Sequence, residues 1–558
     1  MTQLPGTDSV KAVFDGVAVE LSNGVWRFEK RGDEFWVVMA AYDDRGLPMP
    51  NKPRARRKVE MITGSHHMQL FWLSTGYTRK MELLPVAWLI DKRKWIPRDS
   101  AFLVPPGAPP STEPGRWNEV CIRCHVTHGR PGIMNQAEMD TRVAEFGISC
   151  EACHGPAEEH VAINGGPVGR YAKHLNAAGD VTVAQPMRMD APRNSLVCGQ
   201  CHSVNAEKSE RFMTEFFAHG AAYRPGGDSL LSRDVVQPTR LEEMETPLAR
   251  NHGYLSSSFW SDGMIRVSGR EYNGLIESPC HTDADSAKAM SCFSCHQMHR
   301  PEDDKRALDE WRDDQLKPGM RTNEACLQCH SEYRANLAGH THHAADSSGS
   351  LCYNCHMPHT TYGLLKAIRS HHVSSPSVQE SLETGRPNAC NQCHMDKSLE
   401  WTAKRLNERH GVTEPALDID SREVAASLLW GIKGDAGQRA LMAWTAGWEE
   451  AKEASGDEWQ VPMLAQMLVD PYSAVRRIAA RSLRTYPGFD DLDYDPDWDI
   501  ERRRAVGFAV VNRWSEQLRD RDVEPDPLTL MIGPGQFDRK RFGKLAAQRD
   551  NRPMYLNE

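Results

Sequence analysis

Seven times in 558 residues, two cysteines stand three positions apart with a histidine directly after the second. The motifs read CIRCH from Cys121, CEACH from Cys150, CGQCH from Cys198, CFSCH from Cys292, CLQCH from Cys326, CYNCH from Cys352 and CNQCH from Cys390. That order of groups is what covalent attachment of a c-type haem requires. The thiols of Cys121 and Cys124, Cys150 and Cys153, Cys198 and Cys201, Cys292 and Cys295, Cys326 and Cys329, Cys352 and Cys355, and Cys390 and Cys393 would add across porphyrin vinyl groups. The adjacent imidazole, His125, His154, His202, His296, His330, His356 or His394, is then placed to bind the iron from one face. A single CxxC is read as readily as a disulfide or half of a zinc site. Seven copies, all ending in histidine, set that reading aside and use fourteen of the fifteen cysteines, leaving Cys280.

Each iron has a second face, and the chain carries further histidines to meet it. Residues 292–394 are the densest stretch, with four motifs interleaved with His299, His340, His342, His343, His359, His371 and His372. His160 follows His154 by six residues, too close to cap the same iron but able to reach a neighbour, and His299 after His296 and His128 after His125 are placed alike. His66 and His67, on an expected strand edge, are further candidates. The run His340-Thr341-His342-His343 also suits a zinc or nickel ion. Beside irons that need second ligands, at least one of the three is expected to be axial. The expected result is a wire of closely packed haems.

The gap between His202 and Cys292 holds two loop-like stretches, 223–228 and 259–263, together with His219, His252, Cys280 and His281. Its length suits either a substrate pocket or a wrap around haems. Cys280 has three readings: a buried inert thiol, a single-thioether anchor in Glu277-Ser278-Pro279-Cys280-His281, or a thiolate ligand or reactive thiol. Cys280 and His281 are therefore the candidate catalytic residues.

The elements that must position these groups divide the chain into an expected multidomain fold. Residues 1–115 read as β-rich: Trp26 and Phe28, then Phe35, Val37 and Met39, alternate about Arg31-Gly32-Asp33, a hairpin signal, and further runs span 59–62, 69–73 and 83–90. A turn-rich linker follows at 105–110. Residues 116–397 form the multihaem c domain, mainly helical and irregular, with motifs too close together for more than a helix and a loop between haems. Residues 398–500 read as an all-α, HEAT-like domain: Met463, Leu464, Met467 and Leu468, then Val475, Ile478, Ala479, Ser482 and Leu483, fall on helical faces broken at Asp470-Pro471. Helices are also expected over 422–430 and over 435–455, the latter capped by Asp435 and stopped by Gly456. Residues 501–558 read as an irregular strap.

The formal charge of −9 argues against nucleic acid, whose phosphates want a basic face, and favours a basic patch on a redox partner. Covalent haem attachment takes place outside the cytoplasmic membrane, so a periplasmic or otherwise extracytoplasmic location is expected. The opening MTQLPGTDSV carries no signal peptide, and no apolar run is long enough to span a bilayer.

The residues CEACHGPAEEHV, SCFSCHQMH, HTHH and CYNCHMPH with RSHH following make the stretch 117–394 resemble the superfamily of multihaem cytochromes c that includes cytochrome c-554, octahaem hydroxylamine oxidoreductase and cytochrome c nitrite reductase. The resemblance implies stacked haem pairs with mostly two histidines per iron. By analogy His160, His299, one of His340, His342 and His343, and His371 are distal ligands. It also implies a further haem motif and a signal peptide upstream of Met1. The nitrite reductase signature CxxCK does not occur here. The leading expectation is electron transfer through seven c haems, with quinol-linked proteins or other cytochromes as partners and a homo-oligomer as one assembly. The alternatives are an oxidoreductase acting on a small nitrogen or sulfur compound at an open-faced haem near Cys280, and a scaffold whose helical domain binds a partner.

Overall fold

The computed structural model describes residues 1–556 apart from 44–47, 50, 109–111, 177–179, 283–287 and 523, so Pro109 and Pro110 of the linker lie outside the described residues. The chain forms two compact units. The first comprises Met1–Pro97, Pro109–Asn251 and Arg270–Pro318; the second comprises Arg98–Ala108, His252–Gly269 and Gly319–Glu558. Four motifs fall in the first unit and three in the second.

Alternation of large apolar and charged residues makes the beginning of the first unit a sheet. Its strands are β1 (Thr2–Gln3), β2 (Asp15–Leu21), β3 (Gly24–Arg31), β4 (Glu34–Met39), β5 (Ala41–Tyr42), β6 (Pro48–Met49), β7 (Ala55–Thr63), β8 (Met68–Ser74), β9 (Met81–Leu89) and β10 (Lys94–Pro97). The main sheet runs β10-β9-β8-β7-β4-β3-β2, antiparallel throughout, with β1 added on β7. β3 and β4 pair from Arg31 and Glu34 across the two residues Gly32-Asp33, and Gly32 sits at φ +60°, which glycine adopts without a steric penalty. Trp26, Phe28, Phe35, Val37 and Met39 all point into the core. Phe28 of β3 stacks on Trp95 of β10 with centroids 3.7 Å apart, so the two ends of the sheet roll toward each other around one aromatic core.

The rest of the first unit is short helices and loops with two small antiparallel ladders, Val126–Arg130 with Arg142–Phe146 and Asn205–Glu207 with Arg233–Val235. Its motif helices include Cys150–His154, Ala191–Gly199 and Cys292–Cys295.

In the second unit, helices Ala436–Thr445, Glu449–Ser455, Val461–Met467 and Ser473–Leu483 supply the core. Val475, Ile478, Ala479, Ser482 and Leu483 are buried along one face, as are Met463, Leu464 and Met467. Asp435 caps its helix in a capping box with Gln438. The single helix expected over 435–455 is two helices, because the chain turns at Ala446-Gly447-Trp448, where a Cβ on Gly447 would stand 2.5 Å from Ser482 Oγ. The strap expected from 501 begins instead as the 19-residue helix Ile500–Leu518. Its buried stripe is only Val510, Trp514 and Leu518, too thin among arginines and glutamates to register as periodicity. Part of the long gap, His252–Gly269, is a wrap within this unit: Ser268 N–H bonds Tyr362 O at 2.9 Å and Tyr362 N–H bonds Arg266 O at 2.8 Å. No helix among the described residues is long and apolar enough to cross a membrane.

Candidate haem sites

Each motif is built on one turn of helix. The histidine N–H returns to the carbonyl of the first cysteine in His202 (2.8 Å), His296 (2.9 Å), His330 (2.9 Å) and His394 (2.8 Å). Positions i, i+3 and i+4 of a helix share a face, so two thiols and one imidazole are presented together.

Side chains and sulfurs then tie motif to motif inside each unit. In the first, the Cys124 thiol donates to Cys201 O at 3.6 Å and the Cys201 thiol to Arg123 O at 3.9 Å. Gln200, inside the third motif, donates to Ala152 O inside the second at 2.9 Å, and Ser195 Oγ accepts from Cys292 N–H at 3.3 Å. The third motif and the helix that carries it thus touch the first, second and fourth. In the second unit Asn323, just before the fifth motif, accepts from Cys352 N–H at 2.9 Å while donating to Ser350 O at 2.8 Å. Gln392, inside the last motif, accepts from His359 N–H at 3.0 Å and donates to His359 O at 3.3 Å.

Burial pushes the thiols of Cys121, Cys390 and Cys393 up to about 12 and that of Cys355 to about 11. Burial disfavours the thiolate at these four positions, whereas Cys124 and Cys352 shift the other way, to about 6 and about 7. Among the described residues no three His, Cys, Asp or Glu side chains converge as a metal site.

Among the described residues three pairs of imidazoles face each other, each joining a motif histidine to another histidine. His154 and His299 have ring centres 6.0 Å apart and planes 28° apart. For His356 and His340 the values are 6.3 Å and 9°, and for His394 and His343 they are 6.0 Å and 24°. An imidazole nitrogen binds a transition metal at about 2 Å and lies about 1 Å from its own ring centre, so two rings on opposite sides of one iron stand about 6 Å apart. Burial drives His125 down to about 4 and His359 to about 3, keeping both neutral, as ligation requires. His125 Nδ1 and His359 Nδ1 are buried without hydrogen-bond partners. Apolar side chains left exposed around the first two motifs, Val120, Phe146 and Ile148, are walls a porphyrin would cover. The residues present fit haem c.

The other sequence candidates are distributed as follows. His66 Nδ1 meets Ser65 Oγ at 2.9 Å, and His67 Nε2 stands 3.6 Å from Asp313. His160 holds Asp180 at 2.8 Å through Nδ1 and is 40 % exposed. His128 is exposed, at φ +43°. His342, at φ +56°, packs edge-on against His410 at 5.3 Å. His371 and His372 are half-buried. Cys280 and His281 lie on the short helix Pro279–Thr282. Sequence reading missed His410, also 5.8 Å from His340, and the tying residues Gln200, Gln392 and Asn323. His410 closes an ordinary amphipathic helix, Leu399–His410, and nothing in the one-dimensional pattern sets it apart.

No protein-family model matches the chain. The multiheme cytochrome MtrA of Shewanella baltica (strain OS185) is 24% identical over 238 residues, which is 40% of this chain and 58% of that relative. The chain is similar to a multihaem cytochrome. It spans less than two thirds of the relative's length. Among solved structures, the outer cell wall cytochrome OcwA matches with a TM-score of 0.40 and 18% identity, over 76% of this chain and 88% of that one. The seven motifs and the likeness to a multihaem cytochrome together support a multihaem c-type reading.

Proposed function

We propose that this chain is an extracytoplasmic multihaem c-type cytochrome that carries electrons between redox partners through mostly bis-histidine irons. The observation that carries the reading is the set of three facing imidazole pairs, His154 with His299, His356 with His340, and His394 with His343. Haem c, when bound, supplies a one-electron couple whose potential the protein tunes through ligands, burial and hydrogen bonds. The chain's own part would be to hold two imidazoles at most irons, which would keep those irons low-spin and closed to small molecules, and to hold neighbouring motifs in contact. We assign the third motif as the junction of the first unit, joined to the first, second and fourth, and the order fifth, sixth, seventh in the second unit. His160 and His371 are assigned as distal ligands of further irons, and His66 and His67 as alternatives to them. The helices over 436–483 are read as a HEAT-like array that offers a docking face to a quinol-linked protein or another cytochrome. The likeness to a multihaem cytochrome supports the electron-transfer class and, with covalent haem attachment, the location.

Electron paramagnetic resonance of the purified ferric protein tests this. Low-spin signals alone, unmoved by nitrite, hydroxylamine or cyanide, are expected. A high-spin component that shifts with any of them would replace the reading with an oxidoreductase of a small nitrogen or sulfur compound.

A further inference from the structure

The histidines of four motifs are fixed in one common way. His154 Nδ1 bonds Ala184 O at 2.7 Å, and Ala184 N–H returns to His154 O at 2.9 Å. His356 Nδ1 bonds Ser374 O at 3.1 Å, and Ser374 N–H returns to His356 O at 3.1 Å. His202 Nδ1 bonds the Glu271 carboxylate at 3.0 Å, and Tyr272 N–H returns to His202 O at 2.9 Å. His296 Nδ1 bonds Asp314 O at 2.9 Å, and Lys317 N–H returns to Cys295 O at 2.9 Å. A later stretch of chain thus locks the ring and the Cys-His backbone together. The lock fixes the tautomer with hydrogen on Nδ1 and leaves Nε2 for iron. One of the histidines assigned to the second face is held differently: His343 Nδ1 bonds Thr341 O within its own turn at 2.7 Å.

The same two-way lock also occurs outside the motifs. His281 Nδ1 bonds Met290 O at 2.7 Å, and Met290 N–H returns to Cys280 O at 2.8 Å. A short turn precedes it, with His281 N–H on Ser278 O at 2.8 Å, so Cys280 and His281 stand in the order of a motif's second cysteine and histidine, on a turn one residue tighter than the four-residue return of the motifs. Glu277, which occupies the position of a motif's first cysteine, is engaged elsewhere, accepting from Gln237 Nε2 at 2.9 Å and Thr239 Oγ1 at 2.7 Å. The site therefore offers one thiol and one prepared imidazole.

We propose that Cys280 and His281 form an additional haem-attachment site with a single thioether, His281 Nε2 binding the iron. This rests on the multihaem reading of the chain. The bond-forming step is an addition: the Cys280 S–H crosses one vinyl double bond, sulfur bonding the carbon next to the ring and hydrogen going to the terminal carbon. No electrons are gained or lost, and the second vinyl stays intact.

The test is peptide mapping and intact mass of the holoprotein produced with c-type maturation. The expected result is one haem more than the seven motifs account for, with a haem-bearing peptide that contains Cys280. Cys280→Ala then loses one haem and leaves the motif haems, and the pyridine haemochrome loses a component at longer wavelength, where a remaining vinyl group absorbs. Seven haems with an alkylatable Cys280 overturn the site while leaving the multihaem reading in place. Haem-free CxxCH peptides would instead sink the multihaem reading itself. Should Cys280→Ala fail to fold, the wild-type peptide map decides alone. His281→Ala that keeps seven haems and gains a high-spin signal would make His281 a distal ligand of a motif haem, which also overturns the proposal.

Discussion

At the scale of single residues, what matters is which nitrogen of each histidine is already engaged. A ring whose Nδ1–H is tied to a carbonyl presents Nε2 in one tautomer and one direction, so the iron it meets inherits a fixed axis. His154 and His356 each combine that lock with a facing ring, His299 or His340. Replacing His299 with alanine is expected to open one iron, giving a new high-spin ferric signal while the haem count stays constant. His128→Ala, at an exposed position, is expected to leave the spectrum unchanged. Unaltered low-spin spectra in His299→Ala would reject the His154–His299 pairing. Sequence spacing had named His299 and the group His340, His342 and His343. It did not divide that group, because three histidines in four residues differ only by where a helical turn and the left-handed residue His342 aim them.

At the scale of elements, the helix Ala436–Thr445 shows how the second unit holds its core. Asp435 caps it and is also the buried partner of Arg266, at 2.6 Å, and of Arg552, at 2.7 Å. Burial alone would raise its pKa, but the charge and hydrogen bond of Arg266, with those of Gln438 N–H and Arg552, hold the carboxyl well below its ordinary range. A folded-state pKa below the unfolded value of about 3.9 gives stability that is present above about pH 4 and is lost as pH falls further. Asp435→Asn keeps a capping oxygen but strands Arg266, which stacks on Trp260 at 3.8 Å from its ring centre. We expect a loss of about 3–5 kcal/mol at neutral pH, measured by denaturant unfolding of the second unit's helices, with a flatter acid dependence than wild type. A loss under about 1 kcal/mol would mean that the pair contributes little beyond the cap.

At the scale of the whole molecule, apolar cores and candidate haem sites differ in how they are closed. The aromatic core around Phe28, Phe71, Trp88 and Trp95 and the helical core around Leu464, Val475 and Ile478 are closed by side chains alone. The motif segments are short turns, and beside the first two motifs apolar side chains such as Val120 and Ile148 are left exposed. Hydrogen exchange should therefore find the β3, β4 and β8 amides and the 473–483 helix protected with or without haem, and the motif turns protected only in the holoprotein. Equal protection of the motif turns in both forms would count against porphyrin as their packing partner. With a net charge of −9, binding to a basic redox partner should weaken as salt rises, the effect appearing mainly in the association rate.

The sequence by itself determined the cofactor chemistry, because two thiols and an imidazole on one helical turn are a local arrangement that spacing alone specifies. It also determined the rolled sheet's inward residues and the buried face of the 473–483 helix, where periodicity is strong. The 500–518 helix escaped because its buried stripe is three residues wide in a charged background. Which histidine faces which motif, that the third motif sits between the first, second and fourth, and that Met290 locks His281 were decided by the tertiary structure. Those contacts join residues far apart in the chain, often through backbone carbonyls, and a carbonyl has no letter in the sequence.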